Sequence, residues 1–296
     1  MTITTRFAPT PSGLLHLGHA YAAHFASDLA VSNGGKFFLR MENIDQVRCK
    51  SEFEEAIYKD LDWLGISWEP DVLRQSDRMQ IYQSALDKLK VLGMLYPCFC
   101  SRKKILKEIE SITQAPHLNT KSPKKTRYPG SCKKLTKTES ILQMQKGSKF
   151  VLRLDVEKAI RFCGPLIWHD LWKGPQIAQP EIFGDIVIAR KDIPTSYHLA
   201  VTIDDHAQSI TRVTRGNDLF EATHIHRLLQ CLLGLETPCY IHHSLILDNG
   251  GRRFSKRDQS VTIRSLRETG KSLEQVLSII KKFTAQNKKN NENLQL

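Results

Sequence analysis

The stretch that most constrains the fold lies within the first 43 residues. "ITTRFA" (3–8) reads as a short buried strand that runs into a Pro-rich turn, "PTPSG". "GHAYAAHFASDLAV" (18–31) reads as a helix rich in alanine on one side, stopped by Gly34-Gly35. "KFFLRMEN" (36–43) follows as a second strand, apolar on both faces. Strand, helix and strand in so short a span predict a parallel βαβ unit with a right-handed crossover. In such sheets ligands collect at the carboxyl ends of the strands. The turn after the first strand and Glu42 at the end of the second are therefore expected to meet there.

The helix start carries two histidines three apart, His16 and His19, on either side of Gly18. A helix N-terminus favours anions, because unpaired backbone amides and the helix dipole point outward. Imidazole donors at that position can hold a phosphate as charge builds on it. Gly18 leaves room for a flat ring against the backbone. These residue types alone leave nucleotide binding, metal binding and a structural role open.

Further on, "SEFEEAIYKDLDWLG" (51–65) is expected to be a helix, with Ser51 and Glu54 as a capping box and Phe53, Ile57, Leu61 and Leu64 on the buried face. A helix over about 77–92 would bury Tyr82, Leu86 and Leu89. Strands are expected over 149–156, 185–189, 197–205 ("YHLAVTIDD") and 240–247, and a helix over 222–235. The last 14 residues are polar and expected to fray. The overall expectation is an α/β chain with one split sheet interrupted by an insertion. The 296 residues, 41% of them hydrophobic, suffice for a sizeable core and one to three domains.

Charge enters through its distribution. Lys and Arg number 43 against 31 acids, a net charge of +12. Residues 101–137 alone hold eleven basic residues and two acids. So concentrated a patch points to a polyanionic partner such as nucleic acid. Pro9 and Pro11 preclude an N-terminal signal peptide, and no run of about 18 apolar residues would span a membrane. Seven cysteines without a secretory signal suit a reducing compartment, so a cytoplasmic protein is expected.

A second basic element, "GRRFSKRD" (251–258), follows Asn249 and Gly250 in what reads as a mobile turn. Lys256 is a compact charge suited to a leaving pyrophosphate. Taken with "HLGH", this element resembles the paired HIGH and KMSKS signatures of class I aminoacyl-tRNA synthetases. "RFAPTPSGLLHLGH", "FFLRMENID", "YPCFC", "YHLAVTIDD", "TRVTRGNDL" and "RRFSKRD" are similar, in order and spacing, to the glutamyl-tRNA synthetases over roughly residues 5–260. Only about 38 residues follow Asp258, too few for the anticodon-binding region of the full-length family. Within the family the chain therefore resembles the truncated glutamyl-Q tRNA(Asp) synthetase branch.

The resemblance implies a class I, Rossmann-like parallel sheet with an inserted α+β subdomain and a short C-terminal helical region. The expected divisions are 1–95 and 185–245 for the two catalytic halves, 96–184 for the insertion, and 246–296 for the lysine loop, helices and tail. It implies that His16, Gly18, His19 and Lys256 are catalytic, and that ATP, with Mg2+, is held by His16, His19, Arg253, Ser255 and Lys256. Glutamate would be held by Arg6, Phe7, Ala8, Pro9, Thr10, Glu42, Tyr197 and Arg215. Two arginines and one acid suit a molecule with two carboxylates and one amine. Cys98, Cys100 and Cys132 suggest a structural zinc ion that needs a fourth ligand. The family pattern points to Tyr128, and His117 is the conventional alternative. Cys49, Cys163, Cys231 and Cys239 show no such pattern and are expected in the core. The implied partners are L-glutamate, ATP and queuosine-bearing tRNA(Asp), with no membrane and a monomeric chain. Rival readings are a core-only synthetase charging the tRNA 3′ end, a non-catalytic RNA-binding module, and a zinc-dependent nucleic-acid protein.

Overall fold

The structure is a computed structural model and describes residues 2–101, 103–105, 128–246 and 261–292, with side chains as far as residue 282. His117, most of the basic stretch, and the 251–258 element with Arg253, Ser255 and Lys256 lie outside the described residues.

The opening unit forms as expected. β1 (Thr4–Phe7) pairs in parallel with β2 (Lys36–Met41), and α1 (Leu17–Val31) crosses between them. Ala20, Ala23, Ala26 and Ala30 are buried on one stripe of α1. Their small side chains let the helix lie close to the sheet. Gly35 makes the return possible: a Cβ there would sit 2.0 Å from the Ile3 carbonyl oxygen. α2 (Ser51–Trp63) leads to β3 (Leu73–Arg74), which pairs with β2 and completes a parallel sheet in the order β1-β2-β3.

α3 (Met79–Val91) and β4 (Leu95–Cys98) follow. Next come α4 (Lys137–Gln145), β5 (Val151–Leu154) and α5 (Val156–Cys163). β6 (Ile167–Asp170) and β7 (Gly174–Ile177) form an antiparallel hairpin, and β8 (Val187–Ala189) joins β5 and β4 in a separate antiparallel sheet ordered β4-β5-β8. α6 (Tyr197–Ala207), β9 (Arg212–Gly216), α7 (Ala222–Leu233) and β10 (Cys239–His243) complete a four-stranded sheet ordered β7-β6-β10-β9, in which β10 runs parallel to both β9 and β6. The Thr211 amide donates to the Thr4 carbonyl at 3.0 Å, and the Thr4 amide donates to Thr211 Oγ1 at 2.8 Å. The β1 and β9 edges thus meet, and the two sheets form one split surface. α8 (Ile263–Glu268) and α9 (Leu273–Glu292) close the chain.

One apolar cluster fills the space between the first sheet, α1, α2, α8 and α9, and includes Leu15, Leu39, Ile57, Leu61, Ile246 and Ile263. A second joins α3, α5, α6 and α7 to β5 and β8. Among the described residues, no helix is long and apolar enough to cross a membrane.

Several expectations need correction. Residues 197–207 form a helix, not a strand. Leu199 to Asp205 are all buried, so α6 is covered on every side and lacks the polar stripe that would reveal a helical period. Ser51 does not cap α2. The Lys50 amide donates to the Pro11 carbonyl at 3.0 Å, and Lys50, extended at φ −131°, becomes the N-cap without a side-chain bond. Glu54 instead accepts from Tyr58 Oη at 2.9 Å and Arg74 Nε at 2.7 Å. Phe53 is only half-buried. The polar tail expected to fray is helical as far as Glu292, because α9 continues through it. Cys49, Cys163, Cys231 and Cys239 are half-buried rather than core.

Candidate active site

The carboxyl ends of β1, β2 and β9 and the N-termini of α1 and α6 carry the described residues expected at the site, and the turn after β1 meets Glu42 as expected. Past β1, the Glu42 amide donates to the Pro9 carbonyl at 3.0 Å, and the Ser12 amide donates to the Thr10 carbonyl at 2.8 Å. The Pro-rich turn is thereby strapped to the end of β2. Phe7 and Pro9 are buried, Ala8 is half-buried and Thr10 is exposed.

The histidines cap α1 with their own side chains. His16 Nδ1 accepts from the Gly18 amide at 3.1 Å, and His19 Nδ1 accepts from the His16 amide at 3.2 Å. Their ring centroids lie 3.8 Å apart. Since each Nδ1 is an acceptor, each neutral ring carries its proton on Nε2, as a phosphate donor requires. The ring that Gly18 admits is that of His16: a Cβ at position 18 would lie 3.0 Å from His16 Cε1. The Ile263 amide donates to the Leu15 carbonyl at 2.8 Å, and Thr262 forms a bridge with His16. This ties the chain after the 251–258 element to the start of α1.

Arg6, Glu42, Tyr197 and Arg215 form the polar heart. Arg6 Nε donates to Asp205 Oδ1 at 2.8 Å, and Nη1 donates to the Thr214 carbonyl at 3.1 Å. Arg40, fully buried, reaches the same Asp205 oxygen at 2.7 Å and lies 3.8 Å from Glu42. Burial raises Asp205's proton affinity, but the two guanidinium groups outweigh it and hold its carboxyl below the usual range. Glu42 shows the opposite balance: burial pushes it up to about 7 despite Arg40 and Arg6. Tyr197 feels Arg215, Glu42 and Arg6 together, and burial raises its phenol.

Arg215 is 6% exposed, yet no carboxylate pairs with it among the described residues. Nε donates to His242 Nε2 at 3.1 Å, Nη1 lies 3.1 Å from His226 Nδ1, and Nη2 donates to Thr223 Oγ1. Burial and Arg215 itself push His242 down to about 4 and His226 well below its ordinary value, so both rings are neutral. A buried cation with only neutral partners is a receptor for an anion.

Cys98, Cys100 and Cys132 are buried with their sulfurs within 4.8 Å of one another. Tyr128 Oη lies 3.7 Å from Cys100 Sγ and accepts from the Cys132 amide at 2.8 Å. The Arg153 guanidinium stands 3.8 Å over the Tyr128 ring. Burial pushes Cys100 up to about 12, and it raises Cys98 too, but bonds from Tyr128 and Arg153 hold Cys98 below its ordinary value. Three soft sulfurs and a phenol at this spacing fit a tetrahedral zinc ion, whose ligands would stand roughly 3.8 Å apart.

Residues 2–295 match the family described as class I tRNA synthetases (E and Q), catalytic domain. The chain belongs to the class I tRNA synthetases (E and Q). It is 44% identical to a glutamyl-Q tRNA(Asp) synthetase from Rhodobacter capsulatus over 90% of this chain and 96% of that protein. It is 40% identical to one from Nitratidesulfovibrio vulgaris, over 90% and 82%. A crystal structure of a glutamate tRNA ligase from Elizabethkingia meningosepticum with its amino acid superposes with a TM-score of 0.68 at 27% identity. That superposition covers 91% of this chain and 53% of the ligase, so the chain spans about half of that longer synthetase.

Sequence reasoning missed the supports of this class I synthetase site. The site-building side-chain partners of Arg40, Asp170, Asp205, Thr223, His226 and His242 lie 8 to 199 positions away in sequence. The Asp204-Asp205 pair was visible as two carboxylates after an apolar run, with nothing to say that Asp205 faces Arg6.

Proposed function

We propose that the chain activates glutamate with ATP and transfers it to queuosine in the anticodon loop of tRNA(Asp). The carrying observation is Arg215, a buried guanidinium with no carboxylate partner among the described residues, whose charge, like that of Glu42, is felt at Tyr197. Arg215 and Arg6 would receive the two carboxylates of glutamate and Glu42 its ammonium, while Phe7, Ala8, Pro9 and Thr10 form the wall. The names of the similar proteins supply the tRNA half of the reading.

In the first step an α-carboxylate oxygen of glutamate bonds to the α-phosphorus of ATP. The bond to the β-phosphate oxygen breaks, and pyrophosphate leaves. The protein contributes position and charge, with no covalent step of its own. His16 and His19 would donate Nε2–H to the α-phosphate. Lys256, Arg253 and Ser255 would meet the departing pyrophosphate, and Mg2+ would neutralise part of the phosphate charge. In the second step a hydroxyl of the queuosine cyclopentene-diol attacks the acyl carbon, the bond from that carbon to the phosphate oxygen breaks, AMP leaves, and the hydroxyl proton passes to the departing phosphate or to water. Residues 96–184 act as an inserted unit, with zinc held by Cys98, Cys100, Cys132 and Tyr128. Loading that site would displace the proton from the Cys100 thiol, which burial keeps neutral.

The test is transfer of radioactive glutamate to tRNA(Asp) with and without queuosine. Labelling confined to the queuosine-bearing tRNA is expected. Equal labelling of both would instead assign the activity to the 3′ end. Pyrophosphate exchange with glutamate in the absence of tRNA is expected to separate the enzyme from a non-catalytic RNA-binding module.

A further inference from the structure

Behind Arg215 stands a buried pair that the reaction does not itself require. His242 Nδ1 lies 2.7 Å from Asp170 Oδ2, and both side chains are wholly shielded from solvent. Arginine Nε only donates and a carboxylate only accepts. The ring between them therefore carries its proton on Nδ1, which donates to Asp170, and keeps a lone pair on Nε2 for Arg215. Asp170 sits at the end of β6, and its other oxygen accepts from the amides of Trp172 and Lys173 at 2.9 and 3.0 Å. The hairpin turn thus fixes the orientation of the carboxylate.

We propose that Asp170 is a positioning residue for glutamate binding: it holds His242 in the Nδ1–H tautomer and so aims Arg215 at a substrate carboxylate. It does so from one imidazole away, close enough to orient the guanidinium without pairing with it. A carboxylate in direct contact would fill the place that the substrate must take. This proposal rests on reading Arg215 as a glutamate contact.

The geometry makes Asp170→Asn a sharp probe. The two turn amides claim the single carbonyl oxygen, so the new NH2 occupies the Oδ2 position and points at His242 Nδ1. The ring must then accept at Nδ1 and carry its proton on Nε2, where it opposes the Arg215 Nε–H, donor against donor. The side chain keeps its size, so the fold is expected to hold.

The experiment combines 15N NMR of histidine-labelled protein with glutamate-dependent pyrophosphate exchange. Wild-type His242 is expected to show a protonated Nδ1 and an unprotonated Nε2, and D170N the reverse. D170N is expected to raise the KM for glutamate roughly 10- to 100-fold, the scale of one misdirected buried donor, and to leave the KM for ATP unchanged. In a His242→Phe background, where no ring nitrogen remains to relay the proton position, adding D170N is expected to leave the glutamate KM where H242F set it. A wild-type His242 protonated on Nε2 would overturn the proposal without any variant. So would a normal glutamate KM in D170N, or the same loss with H242F present, which would assign Asp170 to the hairpin alone. A wild-type chain whose exchange ignores glutamate would overturn the reading of Arg215, and this proposal with it.

Discussion

Glu42 and Gly18 show how one side chain, or its absence, sets the chemistry. Glu42 is pushed up to about 7 by burial, so below that pH it is protonated and cannot pair with an ammonium. The KM for glutamate is therefore expected to fall roughly tenfold between pH 6 and 8, and Glu42→Gln should flatten that profile while raising the KM. Stability without substrate runs the other way. The folded carboxyl keeps its proton up to about 7, whereas the unfolded one loses it near 4.5, so this group's contribution declines as pH rises through that window. Gly18→Ala would press a Cβ to within 3.0 Å of the His16 ring. The helix gains about 1 kcal/mol of propensity and loses cap geometry worth about as much. Glutamate-dependent exchange is expected to slow about 10²-fold with little change in melting temperature, as a misplaced donor predicts. The histidine pair and Glu42 were legible in the sequence because a local motif carries them. His242 was not, because its partners lie 27 and 72 positions away.

At the scale of elements, α2 and α8 share a contact that the sequence did not announce. Asp60 is fully buried on α2, makes no hydrogen bond among the described residues, and faces Arg267 of α8 at 3.3 Å. Burial pushes it up to about 6 against the pull of Arg267 and Arg264. The unfolded carboxyl ionises first, near 3.8, so this group costs stability as pH rises through the interval to 6. Asp60→Asn is expected to be more stable than the parent by about 1–3 kcal/mol at pH 8 and equal to it below pH 4, read by chemical denaturation at both pH values. α6 marks where element prediction failed. Its apolar run was visible, but a helix buried all round and a buried strand look alike when no polar face breaks the pattern. α1 was legible because alanine on one stripe and glycine at its end are local facts.

For the whole molecule, the split sheet explains why distant motifs act together. β1 and β9 meet through Thr4 and Thr211, which brings Arg6 and Arg215 to one rim although about two hundred residues separate them. The chain as a whole carries a net charge of +12. If tRNA is the polyanionic partner, its affinity should fall about 10³-fold between 50 and 200 mM salt, as expected for several phosphate contacts. A filter-binding titration with a flat salt response would remove the basic surface from the interface. Metal analysis is expected to find one zinc ion per chain, lost in Cys132→Ser, with proton release when zinc is added back to the stripped protein.

The βαβ opening, the histidine pair at a helix start, the cysteine trio and the charge were legible in the sequence. The first two are written in neighbouring residues whose spacing matches a backbone period, and the last two in residue type and count, which need no fold to be read. That α6 is a helix, that Ser51 does not cap α2, and that Arg215 is surrounded by neutral partners came from long-range packing alone. Those outcomes depend on which groups burial brings together from far along the chain. The field on a buried charge is set by neighbours in space, and no local pattern records them.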